Sequence, residues 1–417
     1  MLVDRQDGWR GLRPSLLSHT PYCTTSAHGV KLPAIPAGQA HNGQLTILPN
    51  YVTFRDNILT AAPGCSVRIV HSEESCGWGG QEIRVLRVCT ALAERGHDVA
   101  VICQPQAQLA TRAAAAGIPV WLVPMTGQVS VGTMVRFHRA LADLAPDILN
   151  THSSIDAWMG VWLKRLHRYR LVRTRHIEVP VRNLLSYRFC DHLVTSGAAT
   201  RARFIARGLA PERVSFIATG IEPVTAAPAG IRREFGWPDA APLIAMVSVL
   251  RSWKGHQDFI AAAEQLAARG TPARFLIVGD GPQRPVLEAR LAQSPARDRI
   301  RLLGHREDIA AIMADIDILA QPSTGGEGVP QAVLQAWYAG KPVVATAIAN
   351  VRELVDGHGA LVPPHEPAAL AAALGRLLDD PAERQRLGAS GKALAEHDYL
   401  WPATVDKLDA VYRTVLG

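Results

Sequence analysis

The residues best suited to chemistry lie in one glycine-rich loop. In Q-P-S-T-G-G-E-G-V-P-Q-A-V-L-Q (321–335), Glu327 stands among three glycines, and Pro330 occupies the first position of a predicted helix. A carboxylate can accept hydrogen bonds from two neighbouring hydroxyl groups of a sugar, and the N-terminus of a helix attracts phosphate. The loop therefore predicts a binding site for a phosphorylated sugar, with a helix-capping carboxylate as the alternative interpretation.

A pair of cations follows another predicted strand. Arg251 and Lys254 lie in V-L-R-S-W-K-G (249–255), directly after the apolar run 243–249. Arginine offers a fork of N–H donors and lysine a compact charge, so together they suit a diphosphate. An ordinary solvated basic loop would have the same composition and stays open as the alternative.

A glycine pair marks a third strand-to-helix loop, S-C-G-W-G-G-Q-E (75–82). Glu82 occupies the place of the third glycine in G-x-G-x-x-G, so the loop is not a dinucleotide fingerprint. Gly79 and Gly80 would still let backbone N–H groups approach a phosphate or a sugar at the start of the next helix. A plain tight turn explains the pair equally well.

A basic segment, R-T-R-H (173–176), ends a predicted strand in the first half of the chain. Arg173, Arg175 and His176 could bind the phosphate or carboxylate group of an acceptor. A solvated basic loop is again the alternative.

Short apolar strands alternate with helices from Ser66 onward, which predicts two doubly wound α/β domains with parallel sheets. In the first, the predicted strands are 67–71, 99–103, 119–123, 148–151 and 169–174, and the predicted helices are 81–95, 111–116, 131–144 and 157–168. In the second, the predicted strands are 243–249, 274–278, 300–302, 318–320 and 342–345, and the predicted helices are 255–269, 282–293, 330–339 and 367–378.

The segment 218–230 is rich in Gly, Pro and Ala, which is typical of a linker. We therefore expect a poorly ordered extension over 1–63, a Rossmann-like acceptor domain over 64–220, and a Rossmann-like nucleotide-sugar domain over 221–395. A C-terminal helix within 396–417 is expected to return to the first domain. Ligands of such sheets bind beyond the carboxyl ends of the strands, so the cleft between the domains is the expected site.

Together, these motifs resemble the family-4 retaining glycosyltransferases of the GT-B fold. The resemblance rests on the glycine pair, R-x-x-K-G, V-G-D-G-P, L-G-H and E-G-V-P-Q-A-x-L-Q-A-x-x-A-G-x-P-V-V-A-T, and it covers roughly Ser66 to the C-terminus. It implies transfer of a sugar from a nucleotide-sugar donor, without a metal and with retention of anomeric configuration. By the same resemblance Arg251 and Lys254 hold the donor diphosphate, and Gly79 and Gly80 line the cleft beside it.

The resemblance also assigns the sugar and the nucleoside of the donor. Glu327, with Gly328 beside it, would bind hydroxyl groups of the donor sugar, and Gly304 and His305 would meet the base. The family commonly has a second glutamate, eight residues after the first, that binds the ribose hydroxyls, and Gln335 stands there in this chain. Glutamine can still donate and accept hydrogen bonds, so we expect Gln335 to bind the ribose without charge.

His152 follows the predicted strand 148–151, where the resemblance implies a histidine beside the donor sugar. A hydrogen-bonded histidine in a domain wall is the alternative.

We expect His152 and Glu327 to be catalytic in a glycosyltransferase that uses a UDP- or GDP-linked sugar and no cofactor or metal. Its acceptor would be a glycan or lipid-linked molecule of the cell envelope, such as lipopolysaccharide. A non-catalytic nucleotide-sugar-binding or scaffold protein of the same fold is the alternative function.

Charge divides the chain unevenly. The net charge is +7; residues 1–220 hold 24 Lys and Arg against 14 Asp and Glu, whereas residues 221–417 hold 20 against 23. The basic half predicts peripheral contact with an anionic membrane, to which a helix carrying Trp158 and Trp162 could contribute, although such a helix more often packs on its sheet. Nucleic acid is not expected as a partner, because no nucleic-acid-binding motif accompanies the cations.

Six cysteines without metal-site spacing and an N-terminus without an apolar signal segment predict a reduced cytoplasmic protein, at the inner face of the membrane.

Overall fold

The structure, a computed structural model, describes residues 66–127, 130–176 and 184–417, together with the backbone of two strands at 44–48 and 51–55. Over these ranges the chain forms two sheets with helices on both faces, as the alternation of strand and helix patterns predicts. None of the helices in this part of the chain combines the length and the apolar character needed to cross a membrane.

The first sheet has nine strands. They are β1 (Gln44–Leu48), β2 (Tyr51–Arg55), β3 (Arg68–Glu73), β4 (Asp98–Cys103), β5 (Val120–Leu122), β6 (Ile148–Thr151), β7 (Arg170–Arg175), β8 (His192–Thr195) and β9 (Val214–Phe216). Their order is β1-β2-β5-β4-β3-β6-β7-β8-β9, with parallel pairing from β5 to β9. The helices are α1 (Gly80–Glu94), α2 (Gln108–Ala115), α3 (Val131–Leu144), α4 (Ser154–Leu163), α5 (Leu185–Arg188) and α6 (Ala198–Ala206).

Strands β1 and β2 fall inside the predicted extension, where the sequence analysis has no strand. They pair with each other in antiparallel fashion, and Tyr51 and Val52 pair with Trp121 and Val120 of β5. The two runs are rich in β-branched and aromatic residues on either side of a Pro-Asn dipeptide, which is a hairpin signal. The prediction of a poorly ordered segment is therefore wrong for these two strands, and residues 1–43 lie outside the described residues.

The second sheet has six parallel strands. They are β10 (Leu243–Val247), β11 (Arg274–Val278), β12 (Ile300–Gly304), β13 (Ile318–Gln321), β14 (Val343–Thr346) and β15 (Ala360–Val362), in the order β12-β11-β10-β13-β14-β15. The helices are α7 (Ile231–Glu234), α8 (His256–Ala268), α9 (Arg284–Ala292), α10 (Ile309–Asp315), α11 (Gln331–Tyr338), α12 (Ala349–Val355), α13 (Pro367–Asp379), α14 (Pro381–Asp398) and α15 (Trp401–Leu416).

The chain passes between the sheets twice, and the two passages touch. The Ile221 N–H donates to the carbonyl of Tyr399 over 2.8 Å, and the Trp401 N–H donates to the carbonyl of Ile221 over 2.7 Å. After the second passage α15 packs on the first sheet, where Trp401, Val405, Leu408 and Tyr412 join the apolar core formed by α1, β3 and β4. The last helix of the chain thus belongs to the first sheet's core.

Each sheet reverses its strand order at one point, and these two switch points position the site. In the first sheet the reversal lies between β3 and β6, and in the second it lies between β10 and β13. Loops leave the carboxyl ends of neighbouring strands in opposite directions there, which opens a crevice for ligands. The loops after β6, β10 and β13 are three of those selected from the sequence.

Candidate active site

The second switch point brings the predicted carboxylate and the predicted lysine into direct contact. Lys254 ends a short 3-10 turn (Ser252–Lys254) after β10, and Glu327 lies in the loop after β13. The Lys254 Nζ donates to Glu327 Oε1 over 2.6 Å, and the same oxygen accepts from Ser323 Oγ over 2.6 Å and from Gln321 Nε2 over 3.2 Å. Glu327 is only 7% exposed, so the ammonium group and the two neutral donors replace water as the partners of this oxygen. No described residue donates a hydrogen bond to Oε2 of Glu327.

A single glycine makes this contact possible. Gly255 is the N-cap of α8 with φ +78°, and a Cβ there would overlap the carbonyl oxygen of Pro322. The left-handed backbone and the close approach both require glycine, because any side chain would push the loop after β10 away from the loop after β13. Arg251 lies at the outer edge of the same loop, exposed, with its guanidinium carbon 5.2 Å from the centre of the Trp253 ring.

The remaining predicted donor-binding residues lie on other elements of the second domain. Gly304, at the end of β12, has φ +75°, and the exposed His305 follows it. Gln335 is half-buried on α11, whose first residue is Gln331; Pro330 is its cap rather than its first residue. Because β12 is the edge strand, Gly304 and His305 lie two strands away from the switch point.

The glycine pair of the first domain is placed as predicted, at the start of α1. The Gly79 N–H donates to Oε2 of Glu82 over 2.8 Å, so the glutamate that replaces the third glycine of a dinucleotide motif caps the helix instead. Gly80 is exposed, and a Cβ there would meet no atom within 4 Å. A Cβ at Gly79 would instead lie 3.4 Å from Oε2 of Glu82, so the open space is at Gly80.

Three histidines form a continuous hydrogen-bonded chain at the first switch point. His71 lies on β3, His152 follows β6 and His176 follows β7. The His71 Nδ1 lies 2.9 Å from His152 Nε2, and the His152 Nδ1 lies 2.8 Å from His176 Nε2. Both ring nitrogens of His152 are thereby occupied by other histidines. Burial lowers the pKa of His71 to about 3, with a smaller contribution from Arg84, and burial likewise holds the pKa values of His152 and His176 well below the ordinary histidine value.

Two carboxyl groups that the sequence analysis did not select lie beside the histidines. Glu73, at the end of β3, is fully buried and accepts hydrogen bonds from Ser153 Oγ and from Gln81 Nε2. Asp156 accepts from the backbone N–H groups of His152 and Ser153 over 2.8 and 2.9 Å, which fixes the loop that carries the histidine. Burial, and then the charge of Asp156, raise the pKa of Glu73 to about 7, and burial raises the pKa of Asp156 to about 6.

The two arginines predicted to bind an acceptor do not lie in a solvated basic loop, which was the alternative interpretation. Arg173 is 6% exposed; its guanidinium stacks over the Tyr187 ring, 3.7 Å from the ring centre, and it donates to Ser186 Oγ. Arg175 donates to the Tyr187 hydroxyl over 2.6 Å. Helix α5, which the sequence analysis does not predict, supplies Ser186 and Tyr187 and draws both cations inward. Arg173 thus packs against Tyr187 in this structure, and an acceptor contact stays a prediction for Arg173, Arg175 and His176.

The loop that carries Glu327 also contacts the first domain. A Cβ at Gly328 would lie 2.9 Å from the carbonyl oxygen of His176, so only glycine allows this approach. The Asn350 Nδ2 donates to the carbonyl of Glu327 over 2.8 Å and to Thr200 Oγ1 over 3.1 Å, which ties the loop to α6. His176 and the Glu327 loop thus meet at one seam. Within the described part of the chain, no group of three or more His, Cys, Asp or Glu side chains is arranged to hold a metal ion.

Comparison with known proteins adds to this geometry. Residues 241–380 match the family model of glycosyl transferases group 1, and residues 78–224 match that of glycosyltransferase family 4. The chain is 30% identical over 304 residues to a D-inositol 3-phosphate glycosyltransferase of Corynebacterium efficiens, a match that covers 64% of this chain and 70% of that protein. It is 33% identical over 192 residues to the alpha-D-kanosaminyltransferase of Streptomyces kanamyceticus, covering 45% of this chain; the chain spans about half, 49%, of that relative.

A solved structure shares the fold at low sequence identity. The Anabaena protein Alr3699/HepE in complex with UDP superposes with a TM-score of 0.73 at 20% identity, covering 83% of this chain and 100% of the other. Its complex with UDP-glucose gives a TM-score of 0.72. The two family models and the inositol phosphate relative, together with this shared architecture, establish that the chain belongs to the group 1, family-4 glycosyltransferases and has their GT-B fold.

Proposed function

We propose that the protein is a retaining glycosyltransferase that moves a sugar from a nucleotide-sugar donor to a glycan or lipid-linked acceptor. The observation that carries the proposal is the contact between Lys254 and Glu327 at the second switch point, on the seam where that loop meets His176. A cation for a diphosphate and a carboxylate for a sugar lie side by side there, as a nucleotide sugar requires.

The donor would bind along the second domain. Arg251, Lys254 and the N-terminus of α11 would neutralise the diphosphate, and Glu327 would turn its open Oε2 toward the sugar hydroxyls. Gln335 would contact the ribose, and the loop at Gly304 the base. The donor would be a UDP- or GDP-linked sugar; the Anabaena structural neighbour is solved with UDP and with UDP-glucose, which supports a nucleotide sugar as the ligand.

The reaction would depend on stabilising the charge that develops as the diphosphate leaves. Preorganised cations and N–H groups act most strongly on charge that appears only in the transition state. We assign this work to Arg251, Lys254 and α11 of the chain itself, without a metal. In a front-face mechanism the leaving phosphate oxygen accepts the proton of the attacking acceptor hydroxyl, so the new bond forms on the face that the diphosphate leaves.

An exposed apolar surface on the first domain supports a membrane-associated acceptor. Trp162, Leu166, Leu185 and Phe189 are 51%, 69%, 44% and 52% exposed, on and beside the neighbouring helices α4 and α5. We call these four side chains the apolar surface. Exposed arginines (Arg165, Arg168 and Arg188) surround it, the combination that lets a helix lie in the interface of an anionic membrane. We propose a lipid-linked or lipopolysaccharide-type envelope acceptor, reached from the inner face of the membrane.

Turnover of the donor tests the proposal. Purified full-length protein is incubated with UDP-, GDP- and ADP-linked sugars, release of the nucleoside diphosphate is measured, and the anomeric configuration of the released sugar is read by NMR before it equilibrates. Glu327→Ala serves as the matched inactive variant. Release by the native protein alone, with the donor's anomeric configuration, supports a retaining enzyme. Binding of a nucleotide sugar without any release would support the non-catalytic alternative, for which the neutral Gln335 is the specific hint.

A further inference from the structure

We propose that Asn350 of the second domain serves as the N-cap of helix α6 in the first domain, and that the same side chain positions the backbone of the Glu327 loop. Asn350 is a positioning residue, because it acts on the donor only through Glu327. The inference rests on the proposed function and deepens it, since it names the contact through which the first domain controls the sugar-binding carboxylate. It follows from the way in which α6 begins.

Helix α6 begins without a side-chain cap of its own. Its N-cap residue is Gly197, which has no side chain to accept a hydrogen bond from the first turn. The backbone of Gly197 is extended, with φ −146° and ψ 141°, a conformation that every residue type adopts and that N-cap residues usually have. Backbone conformation therefore does not explain why a glycine, rather than one of the stronger caps Ser, Asn or Asp, stands at this position.

The side chain of Asn350 takes the place of the missing cap. Its Oδ1 accepts from the N–H of Thr200, the third residue of α6, over 3.2 Å. A Cβ at Gly197 would overlap that oxygen, so the amide fills the space that a side chain at the N-cap would need. An N-cap side chain accepts from the second or third N–H of its helix, and Asn350 makes this bond from the other domain. Asn350 and Thr200 are 3% and 5% exposed, so an unpaired N–H here would be costly.

Two backbone partners fix the orientation of this amide. A backbone N–H can only donate and a backbone carbonyl can only accept. The oxygen of Asn350 must therefore face the Thr200 N–H, and its nitrogen must face the Glu327 carbonyl, which lies 2.8 Å away. The nitrogen also donates to Thr200 Oγ1 over 3.1 Å. One amide thus joins a helix of the first domain to the peptide unit between Glu327 and Gly328, and a carboxylate could not do so because it lacks the donor.

A second glycine makes the seam reciprocal. A Cβ at Gly328 would overlap Ser196 Oγ of the first domain. Each domain therefore contributes one glycine that leaves room for a polar side chain of the other: Gly197 for Asn350, and Gly328 for Ser196. Ser196 directly precedes Gly197, and Gly328 directly follows Glu327, so the two contacts lie side by side. A side chain at either glycine would hold the loop of Glu327 away from the first domain.

Glu327 is thereby held at both of its ends. Lys254 Nζ and Ser323 Oγ, which belong to the second domain, donate to its Oε1 over 2.6 Å each, and Asn350 donates to its carbonyl. The first two contacts fix the carboxylate, whereas the third fixes the backbone that carries it and depends on α6. The loop therefore takes this position only while the two domains meet at the seam. A shift of about 1 Å in a reacting group can lower turnover by about 10²-fold.

Three variants separate the capping role from the positioning role. Asn350→Ala removes the cap of α6 and the hydrogen bond to the Glu327 carbonyl together. Gly197→Ser gives α6 a local cap, but the new side chain has no room beside Asn350 and displaces it. The double variant, Gly197→Ser with Asn350→Ala, has the local cap and the room for it, and lacks only the hydrogen bond to the Glu327 carbonyl.

Asp380→Ala is the matched control, because it removes a cap that lies within one domain. Asp380 Oδ1 accepts from the Glu383 N–H over 2.9 Å at the start of α14. In the full-length protein without substrate, hydrogen exchange of the Thr200 N–H measures the cap of α6. The amide resonance of Gly328 measures the hydrogen bond to the carbonyl of the same peptide unit. The melting temperature, and kcat and KM for the donor, are measured for every variant.

Asn350→Ala should speed exchange of the Thr200 N–H and shift the Gly328 resonance. It should lower the melting temperature by about 2–4 °C, the value of one cap, and lower kcat by about 10- to 100-fold with a smaller change in KM. Adding Gly197→Ser to this variant should restore the Thr200 protection and the melting temperature, but neither the Gly328 resonance nor kcat. Gly197→Ser alone should lower kcat as much as Asn350→Ala, and the two losses should not add, because both break the same contact. Asp380→Ala should lower the melting temperature and keep native kcat.

Several results would overturn the inference. Unchanged exchange of the Thr200 N–H in Asn350→Ala would show that Asn350 is not the cap of α6, and an unchanged Gly328 resonance would show that it does not hold the loop. Native kcat in Asn350→Ala, or kcat restored together with the melting temperature in the double variant, would show that it does not position Glu327. If the native protein turns over no nucleotide sugar, the proposed function fails, and the two amide measurements still decide whether Asn350 caps the helix and holds the loop.

Discussion

The two switch points of the molecule are built from opposite kinds of group. At β10 and β13 a lysine and a glutamate meet in glycine-containing loops, and the two charges compensate each other. At β3 and β6 the polar groups lie within or just after the strands, and burial shifts the pKa values of histidines down and of Glu73 and Asp156 up, toward the uncharged forms. The second domain thus offers charge to a charged donor, while the first offers neutral hydrogen-bonding groups.

This difference has a physical consequence for catalysis. A charged pair can exchange its internal contact for a ligand, as Lys254 could leave Glu327 to meet a diphosphate. A buried chain of neutral histidines keeps its members fixed, since both ring nitrogens of His71 and of His152 have assigned partners. We infer that donor affinity resides mainly in the second domain and that orientation of the reacting groups resides in the first.

Of the variants that test this comparison, Glu327→Ala is expected to have the largest effect, and the effect is on kcat. In the proposed donor complex its carboxylate would lie where positive charge develops on the anomeric carbon, so kcat should fall by about 10²–10³-fold, or about 3–4 kcal/mol of transition-state stabilisation. KM for the donor should change less. Initial rates with saturating donor measure this, with the exposed Glu307→Ala as control. Near-native kcat in Glu327→Ala would mean that the second domain only binds and that the chemistry lies elsewhere.

Glu73→Gln tests whether the first domain keeps its carboxyl groups uncharged. The native pKa of Glu73, about 7, lies above the 4.5 of an ordinary glutamate. Between these values the unfolded chain has released a proton that the folded protein retains, so the native contribution of Glu73 to stability falls as pH rises. The variant should therefore gain stability relative to the native protein from pH 4.5 to 7, by up to about 3 kcal/mol.

Denaturant unfolding of both proteins at pH 5 and pH 8 measures that difference. The buried histidines destabilise both proteins equally as pH falls below 6.5, so they cancel in the comparison. Glu94→Gln, at an exposed position, is the control, and its unfolding free energy should equal that of the native protein at both pH values. If the difference in unfolding free energy between Glu73→Gln and the native protein is the same at pH 5 and at pH 8, the raised pKa of Glu73 is contradicted.

Contiguous motifs explain why the second domain was well predicted from sequence. Lys254, Gly255 and Glu327 lie in loops whose glycines and prolines are visible in the sequence, and each loop follows a short apolar strand. Element bounds there agree to within a few residues, as for the predicted strand 274–278 and helix 367–378. Local sequence could not show that Lys254 contacts Glu327, because the contact depends on the strand order β10-β13.

The first domain was predicted less completely because its site is assembled from distant residues. His71 and Tyr412 are 341 positions apart, and His71 resembles any polar residue of an alternating strand. Arg173 looked solvent-exposed because helix α5, whose Tyr187 stacks under it, is one turn long and has no periodic signal. The pattern of charges and apolar residues predicts the sheet, but it does not predict which side chains surround each polar residue.

Arg165→Gln with Arg168→Gln tests whether the basic first domain contacts anionic membranes. Each arginine near an anionic surface contributes about 1 kcal/mol, so the double variant should bind vesicles of mixed anionic and neutral lipid about 30-fold more weakly. Co-sedimentation at low and high salt measures this, because the attraction is screened over about 8–10 Å. The pair Arg232→Gln and Arg233→Gln on the second domain would be unsuitable, since Arg232 binds Asp315 and Asp317. Arg269→Gln with Arg376→Gln is the better control, because both side chains are exposed.

Binding of the native protein to neutral vesicles as strong as to anionic ones would contradict the electrostatic part of this prediction. Binding that depends on anionic lipid but survives the double variant would place the contact on other cations of the first domain. Loss of binding in the second-domain control would remove the distinction between the two domains.

Gln335 should show the smallest effect and the sharpest contrast with Glu327. It lies half-buried on α11, on the side proposed for the ribose, where nothing changes charge during the reaction. Gln335→Ala should therefore raise KM for the donor by the value of one neutral hydrogen bond, about 0.5–1.5 kcal/mol, or roughly 2- to 12-fold, with kcat unchanged. Gln335→Glu should keep kcat and can tighten donor binding, because a carboxylate accepts from both ribose hydroxyls. Full kinetics with the donor varied measure both variants beside Glu327→Ala. If Gln335→Ala lowers kcat more than Glu327→Ala does, the sugar and the ribose lie the other way round in the cleft, since only a group near the reacting carbon acts on turnover alone.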